Sequence, residues 1–111
     1  MRSARERLLD VIEAAEQVAK YAVLGEERFR SDELIQVWIL HHLQIAGEAV
    51  AALPPEVRER MPAVPWSKVV GMRNILVHQY FGIDLAVVWR AASHDLPALK
   101  AAAQELVEHV E

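Results

Sequence analysis

Apolar residues recur at intervals of three and four along nearly the whole chain, and no segment alternates apolar with polar. That period belongs to helices with one face turned inward, and it leaves no strand to build a sheet from. Leu8, Ile12, Ala15, Ala19 and Val23 mark a first helix over residues 4–24, with Gly25 as its stop. Ser31 or Asp32 can cap a second helix reaching about Leu53, where Pro54-Pro55 ends it. Because that helix is apolar around most of its circumference, it is expected at the centre. PEVRERM allows one or two helical turns, and PAVPW is a rigid connector. A third main helix is expected from about Trp66 to Gln79 or Tyr80, stopping near Gly82. Asp84 can cap the last stretch, where Leu85, Val88, Trp89, Ala92, Leu96, Leu99, Ala103, Leu106 and Val110 keep helical period. Pro97 lies inside that stretch, so a kink, or a fresh start capped by Asp95, is expected there. The fold class is all-α: an antiparallel bundle of four main helices plus a short helical turn, its last helix kinked at Pro97.

A length of 111 residues suits a single domain over 1–111. Apolar content is 53% with aromatics at 6%, so Ala, Val, Leu and Ile supply the core and can leave an apolar subunit interface. Cysteine is absent, which excludes disulfides and thiolate metal sites. The amino-terminal residues carry frequent charges and no signal-like apolar run. The apolar stretch Val37–Leu53 is broken by His41, His42, Gln44 and Glu48, so no membrane span is expected and a cytoplasmic location is. A net charge of −4 argues against a general nucleic-acid coating protein. Residues 1–60 and the tail from 95 each carry net −3, while residues 61–94 carry net +2.

That net-positive part holds the most unusual helix. Trp66, Val69, Val70, Val77 and Tyr80 form an apolar stripe, and Arg73 falls in its middle. A guanidinium stays charged and is unfavourable on an inner face unless paired, so Arg73 either snorkels, meets a carboxylate, or opens onto a cleft where an anion such as phosphate can bind. His78 lies about 140° round the helix from Arg73, on the side of Asn74, Gly71 and Ser67. Asn74 and His78 are neighbours at i,i+4. Gly71 in mid-helix lowers propensity by about 1 kcal/mol, which suggests close approach or packing. On the second helix, His41, Gln44 and Glu48 form a polar stripe, and Glu48 is a candidate counter-ion for Arg73. Adjacent His41 and His42 point about 100° apart and cannot chelate one ion, so no metal site is expected.

The run PWSKVVGMRNILVHQYFGIDLAVVW resembles the signature of HepT-like proteins, minimal members of the HEPN superfamily. Arg73, Asn74, His78 and Tyr80 stand at the hallmark positions, and IAGEAV, PAVPW and DLPALK occur in the expected order around them. The resemblance covers essentially the whole chain. It implies a HEPN-type helical bundle that homodimerises with its motif helices near the two-fold axis. It also implies a metal-independent ribonuclease acting as the toxin of a toxin–antitoxin pair, with RNA as substrate and no cofactor. The partner it implies is an MntA-like minimal nucleotidyltransferase antitoxin, which silences the toxin by adding AMP to the motif tyrosine, here Tyr80.

The side chains suit that chemistry. Metal-free RNA cleavage uses the 2′-hydroxyl as nucleophile, so protons must move and charge on the phosphate must be stabilised. His78 can act as general acid or base, Arg73 can stabilise the phosphate, and Asn74 can orient either. One histidine is thin for two proton transfers, and Arg73 and His78 face different ways; a dimer addresses both. A second reading is a non-catalytic HEPN module that binds a nucleotidyltransferase and nucleotide. A third is a structural helical dimer in which Glu48 pairs with Arg73 and His78 caps.

Overall fold

The computed structural model describes the backbone of residues 2–78 and 83–110, and the side chains of residues 2–72 and 83–110. Helix α1 (Ala4–Ala22) begins on a capping box: the Ser3 hydroxyl accepts from the Glu6 amide at 3.1 Å, and the Glu6 carboxylate accepts from the Ser3 amide at 3.0 Å. The Ser3 amide first, and the Ser3 hydroxyl beside it second, hold the Glu6 carboxyl below its ordinary range. After Gly25, whose φ of 97° suits glycine, a short helix α2 (Glu26–Ser31) follows. It falls within the segment expected to be a connection; its one buried residue, Phe29, stacks at 5.4 Å on Trp89. A single aromatic anchor leaves no periodic stripe, so the pattern does not announce it.

Asp32 caps α3 (Glu33–Ala51), accepting from the amides of Leu34 and Ile35. Helix α3 packs against both α1 and the later helices, as its apolar circumference predicts. Its first turns depart from that expectation: Leu34 is 81% and Val37 56% exposed. Together with Tyr21, Trp38 and His41 they line an open groove of about 620 Å³. The turn α4 (Pro55–Arg58) and the connector lead to α5 (Trp66–His78). Asp84, accepting from Ala86 and Val87, then caps α6 (Leu85–Arg90).

From there the chain stays helical through a π-turn, Ala91–Asp95, into α7 (Leu96–Leu106). The irregularity expected at Pro97 is thus taken up one turn earlier. Proline lacks an amide hydrogen and its ring crowds the carbonyl four residues back; a wider turn ahead of it relieves that crowding. The expected capping role of Asp95 is corrected: its backbone is helical at φ −70° and ψ −46°, and its side chain makes no cap bond.

Polar contacts fix the helix directions. The Trp38 indole donates to the Gln17 carbonyl at 2.7 Å, while Asp10 and Ile45 line one groove further along, so α1 and α3 run antiparallel. Arg5 donates to the Val107 carbonyl at 2.7 Å and Lys100 lies 3.8 Å from Glu16, which sets α7 antiparallel to α1. Leu8, Val11, Ile39, Leu43, Val69, Val88 and Leu99 are fully buried and belong to one cluster. Burying each side chain of this size contributes roughly 1.5–3 kcal/mol, and this cluster carries the fold.

Candidate functional site

Helix α5 is anchored where the connector meets it. The Trp66 indole donates to the Met61 carbonyl at 3.1 Å, and the Trp66 amide donates to the Val64 carbonyl at 2.8 Å. Trp66, Val69 and Met72 are buried, Val70 and Gly71 are half-buried, and Ser67 and Lys68 are exposed. This burial fixes which side of α5 faces the bundle. Position 73 lies about 20° from Trp66 and about 40° from Val69 on an ideal wheel, hence on the inward face. Position 78 lies about 20° from both Ser67 and Gly71, on the outer side. The backbone therefore keeps Arg73 and His78 on different faces of one helix.

Arg73, Asn74 and His78 are on α5, but their side chains lie outside the described residues, as does Tyr80 entirely. The pairing of Glu48 with Arg73 falls outside them too. Glu48 itself is exposed on α3, with the Gln44 amide nitrogen 3.4 Å from its carboxylate. His42 is half-buried, its Nδ1 2.9 Å from the Trp38 carbonyl, whereas its neighbour His41 is exposed in the groove. At Gly71 an added Cβ meets nothing within 4 Å, so no close approach among the described residues requires glycine there.

Of the two alternatives at Pro97, a kink or a fresh start capped by Asp95, the second does not hold: Asp95 makes no side-chain cap bond. Only 4% exposed, it is the one buried polar or charged residue among those described. The signal was available: Asp95 keeps helical step with Val88, Ala92 and Leu99, all of them buried.

The sequence pattern of the family described as "Ribonuclease HepT-like" matches residues 11–106. The chain belongs to the HepT-like ribonuclease family. Its HepT-like relatives include "Putative RNase MJ1380" of Methanocaldococcus jannaschii, 35% identical over 100 residues that make up 89% of this chain and 92% of that one. "Probable ribonuclease HepT" of Thermococcus cleftensis is 33% identical over 106 residues, 95% of this chain and 96% of that one. "Putative RNase MJ1216" of Methanocaldococcus jannaschii is 31% identical over 105 residues, 94% and 87% of the two chains. No solved structure matches the chain. Among the described residues of this HepT-like chain, no group of three or more His, Asp or Glu side chains could hold a metal ion. No described helix is long and apolar enough to cross a membrane.

Proposed function

We propose that this HepT-like chain is a metal-independent endoribonuclease, the toxin of a toxin–antitoxin pair, cutting RNA at a cleft between two copies. The observation that carries the reading is the family match over residues 11–106, which encloses the whole Arg73–Tyr80 motif. In the step proposed, His78 takes the proton of the 2′-hydroxyl, and the freed oxygen attacks the adjacent phosphorus. The bond from phosphorus to the 5′-oxygen breaks, and that oxygen leaves with a proton supplied by His78 of the second copy. A 2′,3′-cyclic phosphate and a 5′-hydroxyl result. Arg73 stabilises the charge that develops on the phosphate, and Asn74 positions the phosphate or the imidazole.

The second copy enters for a geometric reason. Positions 73 and 78 occupy different faces of α5, so one helix cannot present both to a single phosphate, whereas two helices meeting across a two-fold axis can. Tyr80 is read as the control point, where AMP added by an MntA-like nucleotidyltransferase would place charge and bulk beside the motif. The location that fits this role is the cytoplasm. Cleavage lost in both Arg73→Ala and His78→Ala supports the assignment; cleavage retained in both contradicts it. Incubation with ATP and the partner, followed by an added AMP mass on the Tyr80 peptide, tests the control point separately.

A further inference from the structure

The open groove beside the first turns of α3 is walled by Tyr21 from α1, Arg28 from α2, and Leu34, Val37, Trp38 and His41 from α3. Apolar side chains gathered in water are unfavourable, and a patch of them marks a place where something binds. The rings in it form a connected set. Trp38 meets Tyr21 edge-on at 5.5 Å and lies 4.5 Å from the His42 ring, which meets that of His41 at 5.0 Å. Two contacts fix that set in place: the Trp38 indole donates to the Gln17 carbonyl, and His42 Nδ1 lies 2.9 Å from the Trp38 carbonyl. Arg28 stands at the rim with its Nε 3.3 Å from the Asp32 carboxylate, and its terminal nitrogens have no hydrogen-bond partner among the described residues. The groove also lies at the motif's end of the bundle. Pro55, just past the end of α3, shares a hollow with Trp66 and Ser67 at the start of α5, and α5 then packs along α3, so the two run antiparallel. From Trp66 to position 78 is about 18 Å of helix, and the same rise back along α3 from Ala51 reaches Ile39. Position 78 is thus within about one helical turn of Trp38 and His41 along the bundle.

We propose that this groove is a base-binding subsite, where a nucleobase flanking the cut stacks among Tyr21, Trp38 and His41. The proposal rests on the reading of the chain as a ribonuclease. Single-stranded RNA presents flat bases with π faces and polar edges, and proteins hold them by stacking on aromatic side chains. Leu34 and Val37 supply apolar surface beside the rings, while Arg28 and His41 supply polar atoms for a base edge or a phosphate oxygen. A volume of about 620 Å³ is ample for one nucleotide. With a net charge of −4 the chain has little general attraction for phosphates, so stacking is the means of holding RNA that its composition favours. The level shared with position 78 leaves a sideways step from α5 across its neighbour α3, about 8–10 Å between axes, which a short run of strand spans.

Titration of the full chain with a short 2′-O-methyl oligoribonucleotide, read by tryptophan fluorescence, tests the subsite. That strand lacks the attacking hydroxyl and stays intact. The wild type binds it with a change in fluorescence that Trp38→Phe abolishes, and binds an abasic strand of equal length about tenfold or more weakly, the factor one stacked base contributes. Tyr21→Ala weakens binding of the base-bearing strand by a similar factor, Tyr21→Phe keeps it, and Val37→Ala lowers it severalfold. Equal binding of the two strands, or wild-type binding by both Tyr21→Ala and Val37→Ala, overturns the subsite. Should Tyr21→Ala not fold, Val37→Ala, at an exposed position, decides alone. Sedimentation finds these variants in the wild-type oligomeric state; smaller species overturn the proposal, because a second copy then covers the groove. Cleavage is not the readout, so the two readings fail separately. A chain that binds the strand in the groove but leaves RNA intact contradicts only the ribonuclease reading. One that cuts RNA but binds both strands alike contradicts only the subsite.

Discussion

The indole nitrogen of Trp38 donates a 2.7 Å hydrogen bond to the main-chain carbonyl of Gln17, tying α3 to α1 at a fixed register. The same indole meets Tyr21 edge-on at 5.5 Å and lies 4.5 Å from the His42 ring. Helix α3 is thereby held on one side while its other neighbour, α5, carries the motif.

Trp38→Phe keeps an aromatic ring and removes the donor. The Gln17 carbonyl retains its place in the α1 ladder, so the loss is that of one hydrogen bond, about 1 kcal/mol. Urea unfolding reads it directly. A variant as stable as the wild type shows that the bond contributes nothing net.

The helix α2 depends on one side chain. Phe29→Ala removes a fully buried ring and its partner contact with Trp89, and destabilises by about 3–5 kcal/mol. Amide hydrogen exchange then rises in residues 26–31 first, because nothing else in that helix is buried. Uniform loss of protection across the chain contradicts this local role.

Acid should weaken the start of α1. Glu6 is held below its unfolded value by the Ser3 amide and hydroxyl, so its contribution is fully present above the unfolded value and is lost as pH falls through the lowered folded one. Ser3→Ala removes the hydroxyl cap, which costs about 1 kcal/mol at neutral pH, and flattens the acid limb of the stability curve only in part, because the amide, the larger cause, remains. An unaltered acid limb in Ser3→Ala argues against the capping box as its source.

Gly71 separates stability from function. With nothing among the described residues within 4 Å of an added Cβ, Gly71→Ala is expected to raise stability by about 1 kcal/mol through helix propensity. Its face is the one shared with position 78, so on the proposed dimer model of cleavage the added methyl lowers RNA cleavage. A variant both more stable and equally active shows that neither RNA nor a second copy closes on that face.

Much of the fold was legible because helical period, caps and breakers act locally. Asp32 and Asp84 cap as their positions suggest, and Trp66 opens α5 after Pro65. Where tertiary contact decides, the pattern misleads. Phe29 holds α2 through a ring on a distant helix, and Leu34 and Val37 stay exposed although α3 is apolar around most of its circumference. Asp95 shows the same limit: acid-before-proline reads locally as a cap, while its burial follows from the bundle closing over the π-turn. At the site, wheel arithmetic separated positions 73 and 78, and the burial of Trp66, Val69 and Met72 establishes which of those faces is inward. Spacing along one helix carries no information on a second chain, so the cleft itself was not legible.

Central to the account is RNA cleavage by His78 without a metal. The most direct measurement incubates purified wild-type chain and His78→Ala with single-stranded RNA in excess EDTA. The account predicts cleavage by the wild type, leaving 2′,3′-cyclic phosphate ends, and none by the variant. Intact RNA with the wild type, or equal cleavage by both, contradicts it.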